Sequence, residues 1–241
     1  MKNIFLIVAL TVFIGAFAQQ KELTLEEAVL SRSKGLTPKG MSGLQWIKCT
    51  NNYIYKVDKQ YIVKTAAGKE VSKIGLDKFS SIYPELESVP RILSISTTEL
   101  VFKHKNQMIH FDYVNRKESS KTPFSKNAVN QDYNKTNKIL AYTVDNNLAI
   151  SKANKNGKPF EAQSLPVTNN EDKNIVSGQA IHRYEFGIHK GTFWSPKGTY
   201  LAFYQKDETN VSDYPLVDVT TYPASVKNIK YPMAGQVSEI A

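Results

Sequence analysis

The sequence predicts an all-β chain: a partial β-propeller of about four blades, preceded by a signal peptide and a short helix. Three observations lead there. The 241 residues hold 13 Tyr, 11 Phe, 10 Pro and 12 Gly, a profile of short strands and many turns rather than of a helical bundle. Four segments repeat one plan: a short apolar-aromatic strand, a polar turn and a second strand. Their spacing approaches the length of a four-stranded blade.

The first element is a positive start, Met1-Lys2-Asn3, followed by an apolar run from Ile4 to Gly15 and then Ala16-Phe17-Ala18. This is the pattern of a secretory signal peptide spanning 1–18, with cleavage after Ala18. The run is short for a membrane span, and no Cys follows it to carry a lipid. Residues 19–43 read as a helix and linker. Thr24-Leu25-Glu26-Glu27 is a capping box, and Leu25, Ala28 and Val29 give a short apolar face, so the helix is expected from Leu25 to about Arg32.

The formal charge is +9, and loss of the first 18 residues with Lys2 leaves +8. The lysines are scattered, often beside Asn in turns, which is the distribution of solvated loop residues rather than of a nucleic-acid stripe. No nucleic-acid partner is expected. The single cysteine, Cys49, has no partner for an internal disulfide and reads as a small buried hydrophobe. Stability then rests on the core.

Residues 44–241 carry the propeller pattern. Tyr53–Val57 and Tyr61–Val63 flank a turn at Asp58-Lys59. Glu99–Phe102 and Met108–Phe111 flank Lys105-Asn106, and Lys138–Thr143 and Leu148–Ile150 flank Asp145-Asn146. The fourth segment is Thr199–Tyr204. Asp and Asn tolerate the left-handed conformations of such turns. Ile54 to Leu100 is 46 residues, Leu100 to Leu140 is 40, and Leu140 to Leu201 is 61. The last interval carries an insertion, 154–180, rich in Asn, Lys, Asp and Pro and expected to be surface loop. After it, Thr192-Phe193-Trp194, the turn Ser195-Pro196-Lys197-Gly198 and Thr199–Gln205 form a hairpin, with Pro and Gly where a tight turn needs them.

Catalytic motifs are missing. No Gly-x-Ser-x-Gly elbow occurs, and Ser195 lies in a hairpin turn. The histidines His104, His110, His182 and His189 are not placed as a triad base, and His182 and His189 are not at a metal-ligand spacing. No phosphate loop or Cys-based zinc pattern appears, so no cofactor and no metal are expected. Asp207 and Glu208 read as ordinary loop carboxylates.

One stretch carries a resemblance. Val176-Ser-Gly-Gln-Ala-Ile-His-Arg-Tyr-Glu-Phe-Gly-Ile188, then Gly191-Thr-Phe-Trp-Ser-Pro-Lys-Gly198, Leu201-Ala-Phe-Tyr204 and Asp213-Tyr-Pro-Leu-Val217 resemble the N-terminal propeller of the prolyl oligopeptidase clan. Exported dipeptidyl peptidase IV and prolyl tripeptidyl peptidase relatives of Bacteroidetes-type bacteria are the most similar. The likeness is strong over about 175–235 and architectural over 44–174. It implies a propeller that filters access to an α/β-hydrolase domain holding Ser, Asp and His, a domain absent from this chain, so no catalytic residue is expected here. It implies export to the periplasm or outer surface of a Gram-negative cell. The partners it implies are peptides with a free N-terminus and the missing hydrolase domain, with homodimerisation of the full-length form left open. Glu185 stands where the family's glutamate binds the substrate's α-amino group, with Arg183 and Tyr184 beside it as substrate-binding residues. Tyr184 replaces the first of the two adjacent glutamates usual in the dipeptidyl branch, which leaves dipeptidyl and tripeptidyl specificity both open. The alternative function is a stand-alone propeller that binds or scaffolds without peptidase activity.

Overall fold

The structure is a computed structural model that describes residues 22–31, 33, 35–38, 40–153 and 165–241. The expected signal peptide, 1–18, lies outside the described residues. Among the described residues no helix is long and apolar enough to cross a membrane. The chain divides into two units, Met1–Met41 and Ser42–Ala241.

The first unit holds helix α1, Leu25–Val29. Its capping box is formed: the Thr24 hydroxyl accepts from Glu27 N–H, and Glu27 Oε2 accepts from Thr24 N–H, both at 3.1 Å. The helix stops at Val29, short of the expected Arg32, which lies outside the described residues. Leu30 leaves helical geometry at φ −100°, ψ 23°, and none of the helix's residues is buried. Without a packed face, local propensity sustains little more than one turn.

The strands of the second unit pair antiparallel. Its first sheet is β1 (Ser42–Trp46), β2 (Asn52–Val57), β3 (Gln60–Thr65) and β4 (Glu70–Ile74), paired in that order. The second is β5 (Ile92–Ile95), β6 (Glu99–His104), β7 (Gln107–Asp112) and β8 (Lys117–Pro123). The third is β9 (Val129–Asn134), β10 (Ile139–Val144), β11 (Asn147–Lys152) and β12 (Leu165–Pro166). Each central hairpin turns where the sequence indicates, and Asp58, Lys105, Asp145 and Asn146 take positive φ there. These are blade-like meanders, in keeping with a partial propeller.

The rest of this unit is built differently. β13 (Ile175–Ser177) pairs with β16 (Gln205–Asp207), and β14 (Thr192–Trp194) pairs with β15 (Leu201–Phe203). The chain from 201 to 207 thus pairs with two different partners along its length. A separate hairpin, β17 (Asp213–Asp218) with β18 (Ser225–Lys230), follows. Two strands, β12 and β13, fall within the stretch 154–180 expected to be loop. Residues 154–164 of it lie outside the described residues.

The sheets stack face on face. Ile54, Tyr61, Val63 and Ile74 of the first meet Leu100, Phe102, Ile109 and Phe111 of the second, with Phe79 and Tyr83 from the connecting loop between them. The other face of the second sheet sets Met108 against Leu140 and Tyr142 of the third. A fully buried leucine or phenylalanine contributes about 1.5–3 kcal/mol each. Cys49 departs from expectation. It is exposed, at φ 62°, in a turn closed by Thr50 N–H to Ile47 O. The strand end buries Ile47 instead.

Candidate functional site

The residues picked out by the sequence lie on one loop. Its two stems touch: a Cβ on Gly191 would lie 2.1 Å from the carbonyl oxygen of Gln179, so only glycine lets the backbones meet. Tyr204 stitches both stems. Its carbonyl accepts from Gly178 N–H at 2.8 Å and its N–H donates to Gly191 O at 2.9 Å. Gly178, at φ +70°, packs against Leu148 and Thr143 of the third sheet. Eleven residues, 180–190, close on themselves as a compact surface loop of the kind that often carries function.

Each stem is fixed to the sheet beneath it. On the incoming side the Gln179 amide donates to Asn146 Oδ1 at 2.9 Å and Ile181 is buried. On the outgoing side Asp132 of β9 gathers three groups. Its carboxylate accepts from the Thr192 hydroxyl at 2.9 Å and meets Lys190 Nζ at 3.1 Å, while its carbonyl accepts from the Trp194 indole at 3.2 Å.

Between the stems, His182–Gly187 forms a 3-10 turn. His182, Tyr184 and Phe186 all have positive φ, at 51°, 68° and 56°. Such conformations are unfavourable for side chains with a Cβ and persist only when the surroundings impose them. Glu239 is one source of that restraint. Its Oε1 accepts from His182 N–H at 3.0 Å, and Ser238 Oγ donates to Oε2 at 3.2 Å. Burial alone would raise the Glu239 pKa, but its own backbone N–H, His182 N–H, Ser238 and the charge of Lys206 outweigh that and hold it below the usual range. Lys206 and Glu208 form a buried pair nearby, Nζ to Oε1 2.7 Å. Glu208 is not the ordinary loop carboxylate expected, while the exposed Asp207 carboxylate accepts from Thr209 N–H at 2.8 Å as a loop carboxylate does. Asp207 ends β16 and pairs with Ile240, and Glu208 is tied to Lys206.

The turn offers aromatic surface to solvent. Tyr184 is 61% exposed and Phe186 86%, with His182 edge-on to Phe186 at 5.9 Å. Arg183 and Glu185 share this turn, and their side chains lie outside the described residues. The structure therefore brings the backbones of Arg183, Tyr184 and Glu185 together on one clamped loop and places Tyr184 at its surface.

Elsewhere a serine, a histidine and a glutamate gather without forming a nucleophile. His110 Nδ1 meets Glu99 Oε1 at 2.6 Å and Nε2 meets the Tyr133 hydroxyl at 2.8 Å. The Ser119 hydroxyl donates to Glu99 and to His110 O, so it has no imidazole base. The cluster braces β7 against β9 of the next sheet. A cavity of about 610 Å³ at the β6–β7 turn is lined by Tyr83, Glu85, His104, Lys121 and Phe124 among others. Its charges are internally paired: Glu85 with His104 and Lys105, and Glu118 with Lys121. Among the described residues no three His, Cys, Asp or Glu side chains gather as metal ligands.

Comparison with known proteins places this architecture. The family described as the dipeptidyl peptidase IV (DPP IV) N-terminal region matches residues 88–240, which include the clamped loop. A crystal structure described as a dipeptidyl aminopeptidase IV from Bacteroides ovatus is 32% identical with a TM-score of 0.68, over 83% of this chain and 27% of that one. Porphyromonas gingivalis dipeptidyl peptidase 4 shares the fold at 17% identity and TM-score 0.58, over 91% of this chain and 33% of that one. Dipeptidyl aminopeptidase B of Saccharomyces cerevisiae is 26% identical over 216 residues, 80% of this chain and 26% of the yeast protein. The chain thus spans about a quarter to a third of the length of these relatives.

Proposed function

The chain belongs to the dipeptidyl peptidase IV N-terminal-region family, and from that premise we propose that it is the substrate-gating, amine-gripping part of an exported serine exopeptidase. Glu185 is the anchor for a peptide's α-ammonium group. A carboxylate gains a charge-assisted hydrogen bond to such a cation. Tyr184 and Phe186 supply aromatic faces that favour cations further, and Arg183 flanks them. Bond cleavage belongs to a hydrolase domain on the longer polypeptide, so this region sets the distance from the N-terminus at which a peptide is cut. The export reading places the enzyme in the periplasm or at the outer surface of a Gram-negative cell, and the longer form is the one that would homodimerise.

The observation that carries this reading is the strained turn His182–Gly187, held at its base by the Gln179–Gly191 contact and at its start by Glu239. Strain that the fold must sustain is typical of ligand clamps. The test is Glu185→Ala in the peptidase form that carries this sequence. A hydrogen bond to a charged group contributes about 1.5–3 kcal/mol, so kcat/KM for peptides with a free N-terminus should fall roughly ten- to a hundredfold. Unaltered KM and kcat would remove the anchor role.

A further inference from the structure

Three ionisable groups are buried close to the turn His182–Gly187. Lys206, Glu208 and Glu239 are 5%, 7% and 8% exposed, and burying such charges is costly unless each is bonded. The backbone brings them together. Lys206 stands in the middle of β16, opposite Val176 of β13, and β13 runs directly into the incoming stem of the loop. On its other edge β16 is bridged by Ile240: Asp207 N–H donates to Ile240 O at 2.7 Å, and Ile240 N–H donates to Asp207 O at 3.2 Å. That antiparallel bridge sets Glu239 opposite Glu208, where like charges repel. Lys206 offsets the repulsion. Its Nζ is 2.7 Å from Glu208 Oε1, and its charge also favours the ionised form of Glu239.

We propose that Glu239 is a positioning residue for amine recognition: through the N–H of His182 it fixes the backbone on which Glu185 stands, and so sets how strongly a free peptide N-terminus is preferred. This role rests on the Glu185 anchor. Glu239 is too buried to touch a peptide, and its oxygens are already engaged. Oε1 accepts from His182 N–H at 3.0 Å, and Ser238 Oγ donates to Oε2 at 3.2 Å. His182 opens the turn at φ 51°, a conformation unfavourable for a residue with a Cβ. Glu185 follows three residues on, about 6 Å along a 3-10 axis, so a change of direction at His182 carries to it. Displacing a recognition group by about 1 Å costs up to about a hundredfold in rate. Water could satisfy an exposed N–H at this point. A buried carboxylate holds it in one direction instead.

The test compares one peptide with its N-acetylated form, in the peptidase form that carries this sequence. Glu239→Ala should lower the preference for the free amine roughly tenfold, through a higher KM for that peptide, while kcat/KM for the acetylated peptide keeps its wild-type value. Glu239→Gln retains an acceptor oxygen for His182 N–H and should restore most of the preference. An unaltered preference in Glu239→Ala would overturn the proposal. So would an equal loss for both peptides, which assigns Glu239 to the stability of the fold alone, or no recovery in Glu239→Gln, which assigns its effect to charge. Should Glu239→Ala not fold, Glu239→Asp decides: it keeps the charge but withdraws the carboxylate by about 1.5 Å, so the preference should fall, and an unmoved preference overturns the proposal. A wild type without any preference refutes the Glu185 anchor and this role with it, whereas a failure confined to the Glu239 variants leaves the anchor standing.

Discussion

Replacing Gly191 with alanine tests whether the loop is clamped as described. The new Cβ would lie 2.1 Å from Gln179 O, 2.2 Å from its carbonyl carbon and 2.5 Å from its nitrogen. Ordinary contact begins near 3.4 Å, so one stem must retreat by more than 1 Å. The obstacle is backbone, not the end of a flexible side chain. Overpacking of this kind costs about 1–3 kcal/mol. Retreat also strains the Tyr204 bonds to Gly178 and Gly191, at about 0.5–1.5 kcal/mol for each one lost. With both bonds lost a total of about 2–6 kcal/mol follows, or a fall in Tm of roughly 5–20 °C for a unit of this size. Differential scanning calorimetry reads that number. Limited trypsinolysis reads the location, because Arg183 and Lys190 lie between the stems and their bonds should be cut faster in the variant. Gly187→Ala is the control. It meets nothing within 4 Å but must adopt φ +74°, so it should cost only about 1–2 kcal/mol. A Gly191→Ala protein with unchanged Tm and unchanged cleavage at Arg183 would refute the pinched-stem reasoning.

Other consequences follow from the same contacts. Glu239→Ala removes the acceptor for His182 N–H and should accelerate tryptic cleavage after Arg183 while leaving the cores, and hence the near-ultraviolet circular dichroism, close to wild type. Lys206→Ala removes one partner of the buried Lys206–Glu208 pair and should cost about 3–5 kcal/mol, whereas Lys206→Met with Glu208→Leu should restore most of it; urea midpoints distinguish the two. Acid should weaken the brace between the second and third sheets. Burial, helped by Lys138 and opposed by Glu99, lowers the His110 pKa from 6.5. Glu99 ends below 4.5 because bonds from Ser119 and His110 outweigh the raising effect of its burial. Both groups therefore bind fewer protons folded than unfolded, so stability is complete above about pH 6.5 and declines as pH falls through the ranges of His110 and then Glu99. In His110→Phe the upper part of that decline should vanish from the pH dependence of the urea midpoint.

The central hairpins were legible because their inner strands announce themselves. Tyr53–Val63, Glu99–Phe111 and Lys138–Ile150 alternate apolar residues about turn residues that accept positive φ, and the structure places β2–β3, β6–β7 and β10–β11 there. Outer strands were not legible. β4 reads Glu-Val-Ser-Lys-Ile and β8 Lys-Glu-Ser-Ser-Lys-Thr-Pro; they are strands because a neighbour offers a ladder, not because of their own pattern. β12 and β13 are too short to carry a period. Cys49 was misread because its hydrophobicity suggests burial, while its place in a tight turn sets its exposure. The site segment could be found from its local motif, but its restraints could not. Glu239 reaches His182 from 57 residues away and Asp132 reaches Thr192 from 60, distances over which no local pattern speaks. The His110–Tyr133 contact is of the same kind.

The claim at the centre is that Glu185 recognises a positively charged peptide N-terminus. The most direct measurement compares one peptide with its N-acetylated form, in the peptidase form carrying this sequence, for the wild type and for Glu185→Gln. The wild type should prefer the free amine by at least about tenfold, the value of one charge-assisted bond, and Glu185→Gln should reduce that preference to near unity. Equal affinity for both peptides in the wild type, or a preference untouched in Glu185→Gln, would contradict the account.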